Sequence, residues 1–194
     1  MNVYIKTYGC QMNERDSESA AAMLVSAGHH IVNSEQDADI IILNTCSVRE
    51  QAERKAIGKL GILKKLKREH PHMIFGIMGC MAQSRGEELL KSVEHLDFAV
   101  GTDNIHAIPE IVEDVIREKH KIRRDDRKGA DTPGIDAHRV NAEAGQFNAF
   151  ISISRGCNRY CSYCIVPYVR GRERSRKAED VLKEVRKLVA DGYK

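Results

Sequence analysis

The sequence has no tryptophan, few aromatic residues and no long apolar run. Aromatic residues make up 5% of its 194 positions, and proline occurs only four times. The longest apolar stretches, residues 40–43 and 74–79, are far shorter than the roughly 20 residues that a membrane-spanning helix needs. The start, MNVYIKTYGC, lacks the basic segment, apolar core and cleavage site of a secretion signal. The sequence therefore predicts neither a membrane span nor export, and we expect a cytoplasmic protein.

A strong excess of one charge is also missing. The 31 lysines and arginines nearly balance 28 acidic residues, and a net charge of +3 does not by itself indicate a nucleic-acid-binding protein. The basic residues are unevenly spread, however, because residues 170–177, RGRERSRK, hold five cations against one acid. Such a segment favours contacts with phosphate or carboxylate groups, although a solvated approach to a helix is an equal alternative. The candidate side chains are Arg170, Arg172, Arg174 and Arg176.

Short apolar runs alternate with amphipathic helical stretches from the amino terminus to about residue 118. This pattern is typical of an α/β domain with a mainly parallel sheet, of the flavodoxin-like or Rossmann-like kind. The predicted strands cover residues 3–8, 40–44, 73–78 and 98–100. We expect this amino-terminal domain to span residues 1–118.

The predicted helices begin at recognisable capping residues. Asn13 is a plausible N-cap for a helix that runs to residue 27, and a last helix is expected over residues 105–118. Two further starts fit the capping-box spacing, namely Ser47 with Glu50 and Ser84 with Glu87.

The periodicity disappears between residues 119 and 146, where charged and small residues dominate, and a linker is predicted there. Residues 147–194 then read as a strand over 147–154, a cysteine-bearing loop and a helix over 178–190. One strand and one helix cannot bury their own apolar faces, and a complete (β/α)₈ barrel takes about 250 residues. We therefore expect a second domain that is truncated.

Three of the six cysteines each follow the end of a predicted strand: Cys10 in VYIKTYGC, Cys46 in DIIILNTC and Cys80 in MIFGIMGC. Because the carboxyl ends of parallel strands lie at one edge of a sheet, the three thiols are expected to converge. Cys46 also precedes the predicted N-cap Ser47, and a helix N-terminus stabilises the thiolate that binds metal. Any single cysteine could be a buried apolar residue, but three in equivalent positions favour a metal site.

The other three cysteines, Cys157, Cys161 and Cys164, form a C-x₃-C-x₂-C run in RGCNRYCSYC. Cubane iron-sulfur clusters are held by cysteine thiolates, so three close thiolates would leave one iron open. A structural zinc site is the alternative, but zinc usually has four ligands and would need a distant fourth residue.

This cysteine run, with an aromatic residue just before its last cysteine, resembles the signature of radical S-adenosylmethionine enzymes. The longer stretch SRGCNRYCSYCIVPYVRGRERSR, together with TYGCQMNERDSE, TCSVRE and MGCMAQ, resembles the methylthiotransferase family of these enzymes. The four motifs occur in the family's order and cover nearly the whole chain. The TYGCQMN motif is most similar to that of the MiaB-type branch, which acts on tRNA.

The resemblance implies one 4Fe-4S cluster for each group of cysteines and S-adenosylmethionine as a further cofactor. Tyr163 would lie near the adenosyl group. The implied ligands are Cys10, Cys46 and Cys80 for an auxiliary cluster, and Cys157, Cys161 and Cys164 for the radical-generating cluster. No residue of the chain resembles a conventional acid or base catalyst. Asp16 and Glu18 could contact the auxiliary site or the substrate, but Asp16 lies in the first turn of a predicted helix, where acids favour the helix dipole, and a structural role is favoured for it.

The activity that the resemblance implies is radical-dependent insertion of sulfur, with transfer of a methyl group, at C2 of N6-isopentenyladenosine beside the anticodon of a tRNA. Such an enzyme would need an external electron donor such as flavodoxin or ferredoxin, and we expect a monomer. One alternative keeps the enzyme class but changes the substrate to a ribosomal-protein aspartate or threonylcarbamoyladenosine. Another is a non-catalytic iron-sulfur or zinc protein, and the truncated chain is expected to be inactive alone.

Overall fold

The computed structural model describes residues 1–126 and 148–193. Most of the predicted linker, together with Phe147 and Lys194, lies outside the described residues. Within them, no helix combines the length and apolar character needed to cross a membrane.

Six parallel strands form the sheet of the amino-terminal domain. They are Asn2–Tyr8 (β1), His30–Ile31 (β2), Ile40–Thr45 (β3), Ile74–Gly79 (β4), Phe98–Val100 (β5) and Ile122–Arg124 (β6). Their order in the sheet is β2-β1-β3-β4-β5-β6, in which the first five follow the flavodoxin-like order and the sixth is added at the edge. The α/β parallel-sheet prediction is confirmed.

The central strands are apolar on both faces because helices cover both sides of the sheet. The helices are Gln11–Ser26 (α1), Glu50–Glu69 (α2), Cys80–Ser92 (α3) and Ile108–Glu118 (α4). In β3, Ile40 and Ile42 pack into one core cluster with α1 and α4, whereas Ile41 and Leu43 pack into the other with α2 and α3.

The predicted helix starts were wrong for three helices. The N-cap of α1 is Cys10 rather than Asn13, and α2 begins after Arg49, so neither Ser47 nor its capping box forms the start. Helix α3 begins directly at the end of β4, with Gly79 as its N-cap. The chain reverses there without a polar cap, because Gly79 adopts a left-handed φ of 93° that other residues avoid.

The predicted linker also contained an unrecognised strand. Residues Ile122–Arg124 pair in parallel with β5, and Ile122 packs against the core cluster that contains α4. Charged residues are common on edge strands, which is why IRR resembles linker sequence.

The carboxyl-terminal segment contains two short strands and two helices. Strands Ser154–Arg155 (β7) and Arg174–Ser175 (β8) pair in an antiparallel ladder. Helix Val166–Arg170 (α5) lies between them, and Ala178–Ala190 (α6) follows with the bounds that the periodicity predicted. The strand expected over residues 147–154 is reduced to β7: residues 148–153 are not assigned to a strand, although the Ile153 carbonyl accepts a hydrogen bond from the Arg176 N–H beside β8.

Candidate functional site

The three strand-end cysteines lie at the same edge of the parallel sheet. Cys10 follows β1, Cys46 follows β3 and Cys80 follows β4. Strands β1 and β3 are neighbours, and the strand order reverses between them, since β2 lies on the other side of β1. Ligands of open α/β sheets bind at such a switch point, outside the carboxyl ends of the strands. The topology therefore brings this group of cysteines to the edge that the sequence predicted.

Two of these thiols lie at helix N-termini, but not the one that the sequence suggested. Cys10 is the N-cap of α1 and Cys80 is the first residue of α3, whereas Cys46 precedes the start of α2 by several residues. The partial positive charge of a helix N-terminus favours the thiolate form at both positions, but at Cys80 burial outweighs it and raises the pKa of the thiol. Cys46 instead accepts a hydrogen bond from the Val48 backbone N–H at 3.3 Å.

The thiols of this group interact with one another. The interaction with Cys46 lowers the pKa of the Cys10 thiol, and the same interaction raises the pKa of Cys46. Burial raises the pKa of Cys80, and its charge interacts with that of Cys10. All three thiols are unoxidised, and Cys46 and Cys80 are fully buried. A cation bound here would displace thiol protons and favour the thiolate form of these cysteines.

A buried network of polar side chains lies next to the strand-end cysteines. Asn13 donates from Nδ2 to Asn44 Oδ1 at 2.9 Å, and its Oδ1 accepts from the Cys10 backbone N–H at 3.3 Å. Asn44 in turn donates to the Asn13 backbone oxygen at 2.7 Å and to Ser17 Oγ at 2.9 Å. Asn13 is thus not the N-cap of α1 but the buried N3 residue of its capping box, whose side chain accepts a hydrogen bond from the N-cap backbone. It ties the loop after β1 to the end of β3.

Two glycines allow the loops at this edge to approach closely. A Cβ at Gly9 would lie 2.9 Å from Cβ of Cys46, and a Cβ at Gly79 would lie 2.5 Å from Asn44 Oδ1. Contacts this short exclude any side chain. The sheet edge is therefore packed around small residues, which lets the segments that carry Cys10, Cys46 and Cys80 lie close to one another.

The second group of cysteines lies in one loop between β7 and α5. Gly156 precedes the loop with φ of 77°, and the Cys157 N–H donates to the Gly171 carbonyl at 3.1 Å, so the loop closes onto the residue after α5. The Cys164 N–H donates to the Cys161 carbonyl at 2.9 Å, which folds these two residues into a turn. The three thiols thus lie on a loop whose two ends are tied together.

The aromatic residues of this loop face outward. Tyr163 is 90% exposed and is available to a ligand. Tyr160 adopts a left-handed φ of 46°, and its ring packs edge to face on Tyr168 with centroids 6.0 Å apart. The tyrosines therefore offer exposed ring faces beside the cysteines.

Buried ion pairs join the cysteine loop to the amino-terminal domain. Asp16 in α1, whose side chain is fully buried, lies 2.7 Å from Arg155 Nη2 and accepts a hydrogen bond from Arg170 Nη2 at 2.9 Å. Burial opposes its ionisation, yet the two arginines hold the pKa of Asp16 below its usual value. A second pair links Arg174 Nη2 to Asp103 Oδ1 at 2.7 Å. These contacts place the two groups of cysteines on a single packed body.

The arginine-rich segment makes carboxylate contacts, as its sequence suggested, but with acidic residues of this chain. Arg170, Arg174 and Arg176 each contact an acidic residue of this chain, and among the four candidates only Arg172 is exposed. The segment therefore serves mainly to hold the cysteine loop in place.

Sequence reasoning missed several supporting residues. Asn44 and Thr45 are polar positions at the end of a fully buried strand, directly before Cys46, and that placement was the available signal. Asp103 and Arg155 carried no local signal, since their partners lie 71 and 139 positions away along the chain.

The donor chemistry of both groups suits an iron-sulfur cluster, because each offers three reduced thiols. Across residues 1–126 and 148–193, no set of three or more Cys, His, Asp or Glu side chains is arranged to coordinate a metal ion directly. The structural support for an anionic group comes from Arg170. Its Nη1 is buried and has no acceptor among the described residues, and the guanidinium lies beside the Cys80 thiol. This unfilled donor fits a bound anion such as a thiolate-ligated cluster.

Two family profiles match the chain. The profile described as "Uncharacterized protein family UPF0004" matches residues 2–101, which is more than half of the chain. The chain belongs to this family. The profile of the radical SAM superfamily matches residues 151–194, which include the second group of cysteines. The UPF0004 match covers all three strand-end cysteines, so the two profiles divide the cysteines into the same groups as the structure.

Curated relatives resemble this UPF0004 member along nearly its whole length. A tRNA-2-methylthio-N(6)-dimethylallyladenosine synthase from Carboxydothermus hydrogenoformans is 50% identical over 195 residues, which cover 98% of this chain and 43% of the relative. Proteins of the same name from Akkermansia muciniphila and Bacillus mycoides are 46% and 43% identical and are covered over 44% and 37% of their lengths. The chain thus spans less than half the length of the curated relatives it matches.

Proposed function

We propose that this protein is a radical S-adenosylmethionine tRNA methylthiotransferase, which inserts sulfur and transfers a methyl group at C2 of N6-isopentenyladenosine beside the anticodon. The proposal rests mainly on one observation: the ion pairs of Asp16 with Arg155 and Arg170 join the two groups of three cysteines into one packed structure. A protein with a single metal site would not need the second group. The names of the relatives, which match both groups, support the same substrate.

In this proposal, each group of cysteines holds one 4Fe-4S cluster. Cys157, Cys161 and Cys164 would hold the cluster that meets S-adenosylmethionine, and Cys10, Cys46 and Cys80 would hold the auxiliary cluster. Bound there, the clusters would supply the electron for reductive cleavage of S-adenosylmethionine and a binding site for the sulfur to be transferred.

The chain's own residues would position and shield these groups. Exposed Tyr163, between two ligands of the loop, is placed to contact the adenosyl group. Cys46 and Cys80 are buried, so water is excluded from that side of the auxiliary site. Arg172, which is exposed, is the arginine of its segment that is available to a tRNA phosphate.

We also propose the organisation and surroundings of the protein. Residues 1–118, extended by the edge strand β6, form the domain of the auxiliary cluster, and residues 147–194 begin the radical S-adenosylmethionine domain after a linker. The protein would act in the cytoplasm as a monomer on tRNA, with flavodoxin or ferredoxin as its electron donor.

The substrate can be tested in the source organism by deleting the gene that encodes this chain. Mass spectrometry of digested tRNA should then show loss of 2-methylthio-N6-dimethylallyladenosine and accumulation of N6-dimethylallyladenosine. Restoring the gene should restore the modified nucleoside, whereas a gene carrying Cys157→Ala, Cys161→Ala and Cys164→Ala should not.

The alternatives make different predictions in the same strains. Unchanged levels of the methylthio nucleoside would contradict the proposal. A loss confined to methylthiolated threonylcarbamoyladenosine, or to a methylthiolated ribosomal-protein aspartate, would assign the protein to another branch of the methylthiotransferases.

A further inference from the structure

Arg170 occupies a buried position between the two groups of cysteines. It ends α5, the helix that directly follows the second cysteine group, and only 6% of its surface is exposed. A guanidinium keeps its charge even when buried, so such a position needs compensating anions. Asp16 is one of them.

Asp16 fixes one side of this guanidinium. Arg170 Nη2 donates to Asp16 Oδ2 at 2.9 Å, and the other carboxylate oxygen of Asp16 lies 2.7 Å from Arg155 Nη2. Because Asp16 belongs to α1 and both arginines belong to the carboxyl-terminal segment, the direction in which Arg170 points is set by two elements. The other side of the guanidinium lies beside the Cys80 thiol, with which it interacts.

The free side of Arg170 points to the strand-end cysteines. Its Nη1 is buried and finds no acceptor within residues 1–126 and 148–193. The guanidinium interacts electrostatically with both Cys80 and Cys10. A buried donor that lacks an acceptor is costly, and nitrogen atoms in such positions usually serve a ligand or water.

We propose that Arg170 is a positioning residue of the auxiliary site, whose Nη1 donates a hydrogen bond to the anionic sulfur of the cluster held by Cys10, Cys46 and Cys80. This inference rests on the proposed function. Hydrogen bonds to cluster sulfurs and nearby positive charge stabilise the more negative, reduced state. Arg170 would therefore raise the reduction potential of the auxiliary cluster, and the next residue, Gly171, accepts the hydrogen bond from Cys157 that closes the loop of the other cluster.

The test uses the auxiliary cluster alone. The variant Cys157→Ala, Cys161→Ala, Cys164→Ala serves as the parent, reconstituted anaerobically with iron and sulfide. Into this parent we would introduce either Arg170→Gln or Arg170→Lys. Arg172→Gln is the matched control, because it removes the same charge from an exposed neighbouring residue. Iron content and a redox titration followed by electron paramagnetic resonance are the measurements.

We expect Arg170→Gln to lower the midpoint potential of the auxiliary cluster, because one charge-assisted hydrogen bond to the cluster is lost. At a fixed potential, the ratio of reduced to oxidised cluster should then fall about tenfold. Arg170→Lys should give a smaller shift, because a single ammonium cannot bind Asp16 and the cluster in the same fork geometry. Arg172→Gln should leave the potential unchanged. Loss of iron from both Arg170 variants, with normal circular dichroism and full iron in Arg172→Gln, would also support the proposal.

Two results would overturn it, and they can be told apart. A midpoint potential that is equal in Arg170→Gln and Arg172→Gln, with iron retained, would show that Arg170 does not touch the cluster, while the proposed function stands. Absence of iron from the parent variant itself would remove the auxiliary cluster and with it the proposed function. If Arg170→Gln does not fold, the comparison of Arg170→Lys with Arg172→Gln decides the question.

Discussion

Replacing Asp16 with alanine should lower the free energy of unfolding by about 3–5 kcal/mol, because it leaves the guanidiniums of Arg155 and Arg170 buried without the carboxylate between them. The same change should loosen the cysteine loop. The backbone amides of Cys157 and Arg176, which donate to carbonyls of their own segment, should lose protection from hydrogen exchange. Urea unfolding followed by circular dichroism and hydrogen exchange by NMR would measure both effects.

Glu50→Ala is the control for this experiment. Glu50 pairs with Arg54 at the surface, where 78% and 76% of the two side chains are exposed, so its removal should cost less than about 1 kcal/mol. Equal losses of stability in the two variants would show that the Asp16 cluster is solvated, which contradicts a buried junction between α1 and the carboxyl-terminal segment.

The pH dependence of this contribution has a definite sign. The arginines hold the pKa of Asp16 below its usual value in the folded protein. Its contribution is therefore fully present above the unfolded pKa, about 3.9, and is lost as the pH falls through the lower folded value. The difference in stability between the wild-type protein and Asp16→Ala should shrink in that acidic range alone.

Replacing Gly156 with alanine should abolish the metal site of the second cysteine group and leave the first intact. Gly156 has φ of 77°, which costs an alanine about 1–2 kcal/mol. A Cβ there would also lie 2.5 Å from the Gly171 carbonyl oxygen and collide with the backbone of Arg172, and backbone atoms cannot move aside as a side chain would. We expect iron after reconstitution to fall from about eight to about four per chain.

The backbone strain and the collision can be separated with Gly28→Ala. Gly28 has a similar φ of 88°, but a Cβ there would meet nothing within 4 Å. This control should lose a comparable amount of stability through φ alone and keep all its iron. Full iron content in Gly156→Ala would show that the loop does not close on residues 171 and 172.

The sequence predicted the features that depend on local pattern. The apolar runs of β3 and β4 and the helical period of α6 were recognisable because their burial repeats along the chain. The cysteines could be assigned to one sheet edge because parallel strands place their carboxyl ends together. The four motifs indicated the family because each of them is a short, continuous stretch of sequence.

Features that depend on distant partners could not be predicted. Cys10 and Gly79 lie at helix starts that carry no ordinary capping signal, since the turn at Gly79 is set by close packing against Asn44. Asp16 resembled a helix-dipole residue because its arginine partners lie more than 130 positions away. The edge strand β6 was missed because its charged residues suit both a linker and an exposed edge.

The most direct test of two separate clusters is a count of iron, labile sulfide and zinc in the anaerobically purified and reconstituted chain. The wild-type protein would be compared with two triple alanine variants, one for each group of cysteines. We predict roughly eight irons per chain in the wild-type protein, about four in either variant and no zinc, as expected of two separate 4Fe-4S clusters. About one zinc per chain without stable iron would contradict this prediction and indicate a structural zinc site instead.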